Sequence, residues 1–223
     1  MAMQVIKGIL FDNDGVLAHT EQAWFDTFHS LLSDLGVTYG RKDFITHTFV
    51  EGWGSIEWLR RNAVEPEIIA AFEPKRIEAW RKRIADIDVT EPTAVPVLTE
   101  LKATYKLGVV TNTERENFLK IHTYNSLINI LDALIVREDY SKGKPAPDGY
   151  LAGVEKLGLA SDSIIAVEDA PRGIRAAKAA GLSVVGIINP AFPELDISDA
   201  DYQIRSLTDL PGLLRQIYQG FTS

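Results

Sequence analysis

Gly8-Ile9-Leu10-Phe11-Asp12-Asn13-Asp14-Gly15-Val16-Leu17 sets two carboxylates, two residues apart, just past a short apolar run. Residues 5–11, interrupted only by Lys7 and Gly8, read as a buried parallel strand. Asp12 and Asp14 then stand at its carboxyl end, where open α/β sheets place their chemistry. Alternate residues of an extended chain face one side, so both carboxylates are expected to address one point. Two negative charges that close repel unless neutralised, and a hard cation such as Mg²⁺ would neutralise them.

Outward from this stretch, the chain alternates helix and strand from about residue 92 onward. Residues 92–104 have a helical pattern, with Val95, Leu98 and Leu101 in phase and Pro92 near the start. Residues 107–111 form an apolar strand that runs into Thr111-Asn112-Thr113. A helical stretch bearing Phe118, Ile121 and Leu127 follows, then a strand over 131–136. Residues 147–157 are helical and stop at Gly158. A strand over 163–167 ends in Glu168-Asp169, an alanine-rich helix covers 172–180, and a strand covers 183–188. This rhythm predicts a doubly wound α/β fold, a parallel sheet with helices on both faces. Residues 20–90 break the rhythm and are almost wholly helical in pattern. Trp24, Phe28, Leu31, Leu32 and Leu35 make one apolar stripe that Gly36 ends, and Ile68, Ile69, Phe72, Ile77, Trp80 and Ile84 make later ones. Between them lies a glycine-flanked loop, Glu51-Gly52-Trp53-Gly54-Ser55. The expectation is a core built from residues 1–17 and 91–223, with a smaller all-helical cap, residues 18–90, inserted after the first strand.

Composition narrows the function. The 223 residues are 46% hydrophobic and 24% charged, as in an ordinary soluble globule. A net charge of −8 argues against nucleic-acid binding. The chain has no cysteine, which excludes disulfides, thiolate nucleophiles and cysteine-ligated zinc. No basic region followed by a long apolar stretch opens the sequence, and no apolar run reaches the ~20 residues that span a bilayer. A cytoplasmic protein acting on a small molecule is the expectation. His19, His29, His47 and His122 show no metal-ligand pairing, so chemistry falls to carboxylates, hydroxyls and lysines.

Four features line up at strand ends: Asp12 with Asp14, Thr111, Lys144 within Ser141-Lys142-Gly143-Lys144-Pro145-Ala146-Pro147-Asp148, and Glu168 with Asp169. Each alone has a bland reading as a turn, a solvated loop or a helix cap. Together they suit phosphoryl transfer. A carboxylate can attack phosphorus, a hydroxyl and a backbone N–H can hold the phosphoryl oxygens, a lysine and Mg²⁺ can neutralise their charge, and a second carboxylate can move protons.

These segments, in this order, resemble the four motifs of the haloacid dehalogenase superfamily of phosphohydrolases, with its Rossmann-like core. The resemblance covers essentially the whole chain. Lys144-Pro145-Ala146-Pro147-Asp148 and Val167-Glu168-Asp169-Ala170-Pro171-Arg172-Gly173-Ile174-Arg175-Ala176-Ala177-Lys178-Ala179-Ala180-Gly181 are its most specific parts, similar to the branch that holds β-phosphoglucomutase and phosphoglycolate phosphatase. The resemblance implies Asp12 as nucleophile and metal ligand. It implies Asp14 as general acid/base whose backbone carbonyl faces Mg²⁺. Thr111 and the Asn112 N–H would hold the phosphate, Lys144 would steady nucleophile and phosphoryl group, Asp169 would bind the metal, and Glu168 would act through water. Three departures stand out. His19 replaces a usual acidic residue before Thr20-Glu21, Thr113 stands where serine is commoner, and Ser55 falls where the mutase branch has a phosphate-gripping arginine. The implied function is a Mg²⁺-dependent phosphatase of a sugar phosphate or similar monoester. A phosphosugar mutase is the alternative. Asp14, Glu168 and Asp169 speak against 2-haloacid dehalogenation, and the inserted cap against a phospho-accepting receiver. Gly173 and Gly181 read as helix packing and a helix end, Arg115 as a solvated helix start, and Trp53 as an exposed ring able to stack on a substrate.

Overall fold

A computed structural model describes residues 5–85 and 87–220. Residues 1–4 and 221–223 of the expected core, and Asp86 of the expected cap, lie outside the described residues. Among the described residues six strands form one all-parallel sheet: β1 (Gly8–Phe11), β2 (Lys106–Val110), β3 (Ala133–Ile135), β4 (Ile164–Glu168), β5 (Ser183–Ile187) and β6 (Tyr202–Ile204). Their order is β3-β2-β1-β4-β5-β6. The chain winds outward from β1 to one edge, then crosses to β4 and winds to the other. The switch point therefore lies between β1 and β4. Phe11 pairs with Val109 of β2 and Val167 of β4, and the Asp12 N–H continues the ladder to the Val167 carbonyl at 2.9 Å. The strand ends are thus level, and the residues that follow them emerge on one rim.

The apolar runs explain the sheet. Ile9 and Phe11 pack into one helical layer with Leu98, Val109 and Val167, while Leu10 packs into the other with Val110, Ala166 and Ile174. A strand covered on both faces needs apolar residues at every position. Each such side chain contributes roughly 1.5–3 kcal/mol by its burial. The layers hold α5 (Ala94–Lys102), α6 (Arg115–Ile121), α7 (Leu127–Ile130), α8 (Asp148–Leu157), α9 (Pro171–Ala179) and α10 (Leu210–Gly220), counted after four earlier helices. Five strands fall where the sequence predicts them, with ends moved by one to three residues. The first begins at Gly8 rather than residue 5. β6 and α10 are additions; β6 is three residues on the sheet edge, too short for a periodicity to register. No helix among the described residues is long and apolar enough to cross a membrane.

Between β1 and β2 the described elements are α1 (Glu21–Asp34), α2 (Arg41–Phe44), a π-helical stretch Ile45–Glu51, α3 (Ser55–Arg61) and α4 (Pro66–Ile84), followed by α5. The expected loop at 51–55 narrows to residues 52–54. The apolar stripe of α1 buries Phe28 and Leu32 and ends at Gly36, which has φ +74°. Trp24 of α1 stacks on Trp80 of α4 with ring centres 4.2 Å apart. Phe28, Phe44, Phe49 and Phe72 form the aromatic centre, and Ala170 and Phe192 from the sheet side complete it. The chain enters and leaves these helices side by side. Ala18 bridges Thr90, the His19 N–H donates to the Val89 carbonyl at 2.6 Å, and His19 Nε2 meets Glu91 Oε2 at 2.8 Å. His19 therefore ties the two crossings to each other and has its partner outside the acidic cluster.

Candidate active site

Asp12 leaves the end of β1 with its side chain almost fully buried. Its Oδ1 accepts the Asn13 N–H at 2.7 Å and lies 2.8 Å from Lys144 Nζ. Lys144 Nζ also donates to Glu168 Oε1 at 2.7 Å and to the Val110 carbonyl at 2.9 Å. One buried ammonium thus binds the ends of β1, β2 and β4. Burial alone would lower the Lys144 pKa, but the Asp12 and Glu168 carboxylates outweigh it and hold the ammonium above its ordinary value. Asp12 is pushed up to about 7, first by burial and then by Glu168, with Lys144 opposing. The Lys144 loop is pinned from beneath. Asn112 Oδ1 accepts the Lys144 N–H at 3.1 Å and the Tyr140 hydroxyl at 2.8 Å.

Asp12 and Asp14 line one cavity, but their carboxylates take different partners. Asp14 turns its carboxylate to hydroxyls: Thr20 donates to Oδ1, Thr113 donates to Oδ2 at 2.8 Å, and Thr111 Oγ1 stands 3.4 Å from Oδ2. The reason is local. The chain stops being extended after Asp12 and turns, with Leu17 N–H bonded to the Asn13 carbonyl at 2.8 Å and Gly15 at φ +80°, so the two-residue alternation no longer applies. Asp12, Glu168 and Asp169 each offer an oxygen, and those oxygens lie within 4.8 Å of one another. All three carboxylates are buried, and Glu168 Oε2 has no hydrogen-bond partner. An all-oxygen set with an unsatisfied buried acceptor fits a hard divalent cation.

Several residues that sequence reasoning passed over complete the centre. Tyr150 of α8 donates to Glu168 Oε1 at 2.6 Å. Gly173 does more than pack a helix, since a Cβ there would lie 2.1 Å from the Glu168 carboxyl. Glu21, the first residue of α1, is a fourth buried carboxylate. A Cβ on Gly15 would fall 1.9 Å from Asp169 Oδ2 and 2.4 Å from Glu21 Oε1, so glycine is what lets these acids meet. Burial, then the neighbouring carboxylates, hold Asp169 and Glu21 well above the usual carboxylate range. Only the Thr20-Glu21 pair signalled Glu21 in the sequence, and it reads equally well as a helix start.

The acids open on a cavity of about 250 Å³ between the strand ends and the helices. Asn112 and Thr113 line its floor; His47, Thr48 and Ser55 line its roof. Two guanidiniums, Arg76 of α4 and Arg172 of α9, also line it. Arg76 Nε is buried without a partner. The loop at 52–54 carries no cation, as its sequence says, but α4 supplies one that the sequence reading did not place. Trp53 does not offer the free ring expected of it: the Arg61 guanidinium sits over it, 4.1 Å from its centre. Arg115 pairs with Asp139 at 3.0 Å on the surface, in line with its bland reading.

A doubly wound sheet with buried carboxylates and a lysine at its switch point defines the class, Rossmann-like α/β enzymes. Within that class, the chain belongs to the haloacid dehalogenase-like hydrolase family, which matches residues 9–187. Validoxylamine A 7'-phosphate phosphatase of Streptomyces hygroscopicus subsp. limoneus is 30% identical over 213 residues, 92% of this chain and 95% of that protein. Hexitol phosphatase A of Escherichia coli (strain K12) is 30% identical over 217 residues, 92% of this chain and 93% of that protein. The crystal structure of CbbY from Rhodobacter sphaeroides with xylulose-(1,5)bisphosphate has a TM-score of 0.75 at 25% identity, covering 92% of this chain and 96% of that one. β-Phosphoglucomutase from Clostridium difficile shares the fold, with a TM-score of 0.81 at 18% identity over 98% of this chain and 99% of that one.

Proposed function

We propose that this protein is a Mg²⁺-dependent phosphatase of a small phosphorylated metabolite, a sugar phosphate or similar monoester, working in the cytoplasm. The observation that carries the reading is the Asp12 carboxylate, buried at the switch point with Lys144 Nζ at 2.8 Å and beside the Glu168 and Asp169 carboxylates. Asp12 attacks phosphorus, the P–O bond to the substrate alcohol breaks, and an aspartyl-phosphate forms. Asp14, steadied by the hydroxyls of Thr20 and Thr113, gives its proton to the departing alkoxide. It then takes the proton of the water that attacks the aspartyl-phosphate, which returns Asp12 as carboxylate and releases phosphate. Thr111, the Asn112 N–H and Lys144 hold the phosphoryl oxygens. Asp12, Asp169 and the Asp14 carbonyl, with Glu168 alongside, would hold Mg²⁺, which when bound neutralises the charge spread over those oxygens. Residues 18–90 act as the cap that closes over the substrate, and Arg76 and Arg172 take the part beyond the phosphoryl group.

Arg76 also favours a second reading. A cation above the cavity can grip a distal phosphate, as a phosphosugar mutase requires. The test follows both products. Hexose 1-phosphates, with and without a bisphosphate primer, are incubated with the enzyme while free phosphate and the 6-phosphate isomer are measured. Phosphate release that outruns isomer formation and stops in chelator is the expected result. Isomer formation in excess makes the protein a mutase, and full turnover in chelator removes Mg²⁺ from the reaction.

A further inference from the structure

Asn189 stands two residues beyond β5 and is 1% exposed. Its Oδ1 accepts the N–H groups of Ala191 at 2.9 Å and Phe192 at 3.1 Å. Two backbone donors on that end fix the orientation of the amide, so the NH₂ must face the other way. It faces two carboxylates: Nδ2 donates to Asp169 Oδ2 at 2.6 Å and to Glu21 Oε1 at 2.9 Å. Both amide protons are spent on these acids. Glu21 Oε2 and Glu168 Oε2 remain buried without partners.

The turn that aims the amide is itself held from the helical side. Phe192 is fully buried, with ring centres 5.5 Å from Phe44 and 5.0 Å from Phe49. The Arg41 guanidinium lies 4.1 Å from the Phe192 ring centre, donates to the Ala191 carbonyl, and pairs with Glu194 at 2.7 Å. One short loop therefore has its amide on the acids and its aromatic ring in the core of the helices.

We propose that Asn189 is a positioning residue: its amide sets the orientation of the Asp169 carboxylate and holds Glu21 beside it, so that the cation site is preorganised. The inference rests on the Mg²⁺ reading above. Without the amide, two buried carboxylates face each other with no donor between them, and Asp169 is free to turn about its side-chain torsions. Groups that orient a metal-binding side chain in this way typically change metal affinity by about 10–100-fold when removed.

The experiment is calorimetric titration of metal-free protein with Mg²⁺, in the absence of substrate, for wild type, Asn189→Ser and Asn189→Ala. Serine keeps an acceptor for the Ala191 and Phe192 N–H groups, and so the turn, but is too short to reach the acids. Both variants are expected to bind Mg²⁺ about tenfold or more weakly. The activity loss of Asn189→Ser should appear mainly as a raised Mg²⁺ requirement, with the half-saturating concentration rising about tenfold or more. A lowered melting temperature with unchanged Mg²⁺ affinity in both variants would mean that Asn189 merely supports the fold, and overturns the proposal. Wild type that takes up no Mg²⁺ overturns the underlying metal reading instead, so the two failures are distinct.

Discussion

Asp12 has to remain a carboxylate in a place that disfavours one. Burial pushes it up to about 7, and Lys144 at 2.8 Å is what opposes that shift. Asp12→Asn keeps the shape and removes one charge from a crowded cluster, so folding should survive, with stability changed by less than about 2 kcal/mol. Turnover should fall on the order of 10⁴-fold or more, as expected for the loss of the proposed covalent nucleophile. Steady-state rates and urea midpoints check both halves; turnover within about tenfold of wild type sinks the assignment. His47 gives a separate prediction. It is buried with Nε2 at 2.6 Å from the Tyr39 hydroxyl, and burial, then Arg172, lower its pKa to about 4. An unfolded chain protonates this group near 6.5, so the stability it contributes is complete above that pH and is lost as pH falls toward 4. Relative to His47→Gln, wild type should lose about 2 kcal/mol between pH 8 and pH 5, at roughly 1.4 kcal/mol per pH unit below 6.5. Urea unfolding at several pH values reads this directly, and parallel losses in both proteins refute it. Asp12, Thr111, Glu168 and Asp169 were legible as candidates because each stands at the end of an apolar strand, and Lys144 because of the Lys-Pro-Ala-Pro-Asp run it opens. Glu21, Arg76, Tyr150 and Asn189 reach the same rim from helices and a loop, through contacts that no local spacing encodes.

At the scale of elements, strands covered on both faces were easy to read, because two-sided burial demands unbroken apolar runs. Their ends were not, since the ladder stops where partners stop. The π-helical turn Ile45–Glu51 was not legible, since four of its seven residues are β-branched and give no clear helical signal. Arg175 donates to the Val50 carbonyl, and Gly52 lies against the Lys144 loop. Gly52 and Gly54 then make a matched pair. Gly52 has φ +74°, ψ 22°, and a Cβ there would come within 2.8 Å of the Lys144 carbonyl oxygen. Gly54 has φ +76°, ψ 162°, and its Cβ would meet open space. Alanine at either position should cost stability, about 1–3 kcal/mol at 54 from backbone strain alone and at least as much at 52, where the clash adds to the strain. Alanine at position 52 should cost more turnover, lowering kcat/KM for an aryl phosphate about tenfold or more by pushing the roof off the Lys144 loop. Melting curves and kcat/KM for the two variants decide it. Equal losses of kcat/KM would show that backbone strain, not the contact with Lys144, governs both.

The whole molecule concentrates four buried carboxylates, Asp12, Glu21, Glu168 and Asp169, around one rim, with a single buried lysine among them. That is a poor arrangement for a folded protein by itself and a good one for a cation's site. The sheet and the helices share the consequences, because Glu21 starts α1 and the Phe192 loop ends in the aromatic core of the helices. Occupation of the site should therefore stabilise the chain as a whole and not a single loop. A ligand present at 100 times its Kd adds about 2.7 kcal/mol to the folded state. For a chain of this length, that corresponds to a rise in Tm of roughly 5–11 °C. Scanning calorimetry of metal-free protein, with and without Mg²⁺, should show one transition that moves upward. Asp169→Asn should abolish most of the shift while raising the metal-free Tm, since one of the crowded charges is gone. A Tm indifferent to Mg²⁺ in wild type, or an equal shift in Asp169→Asn, would mean that the acids are held by the fold for some purpose other than a cation.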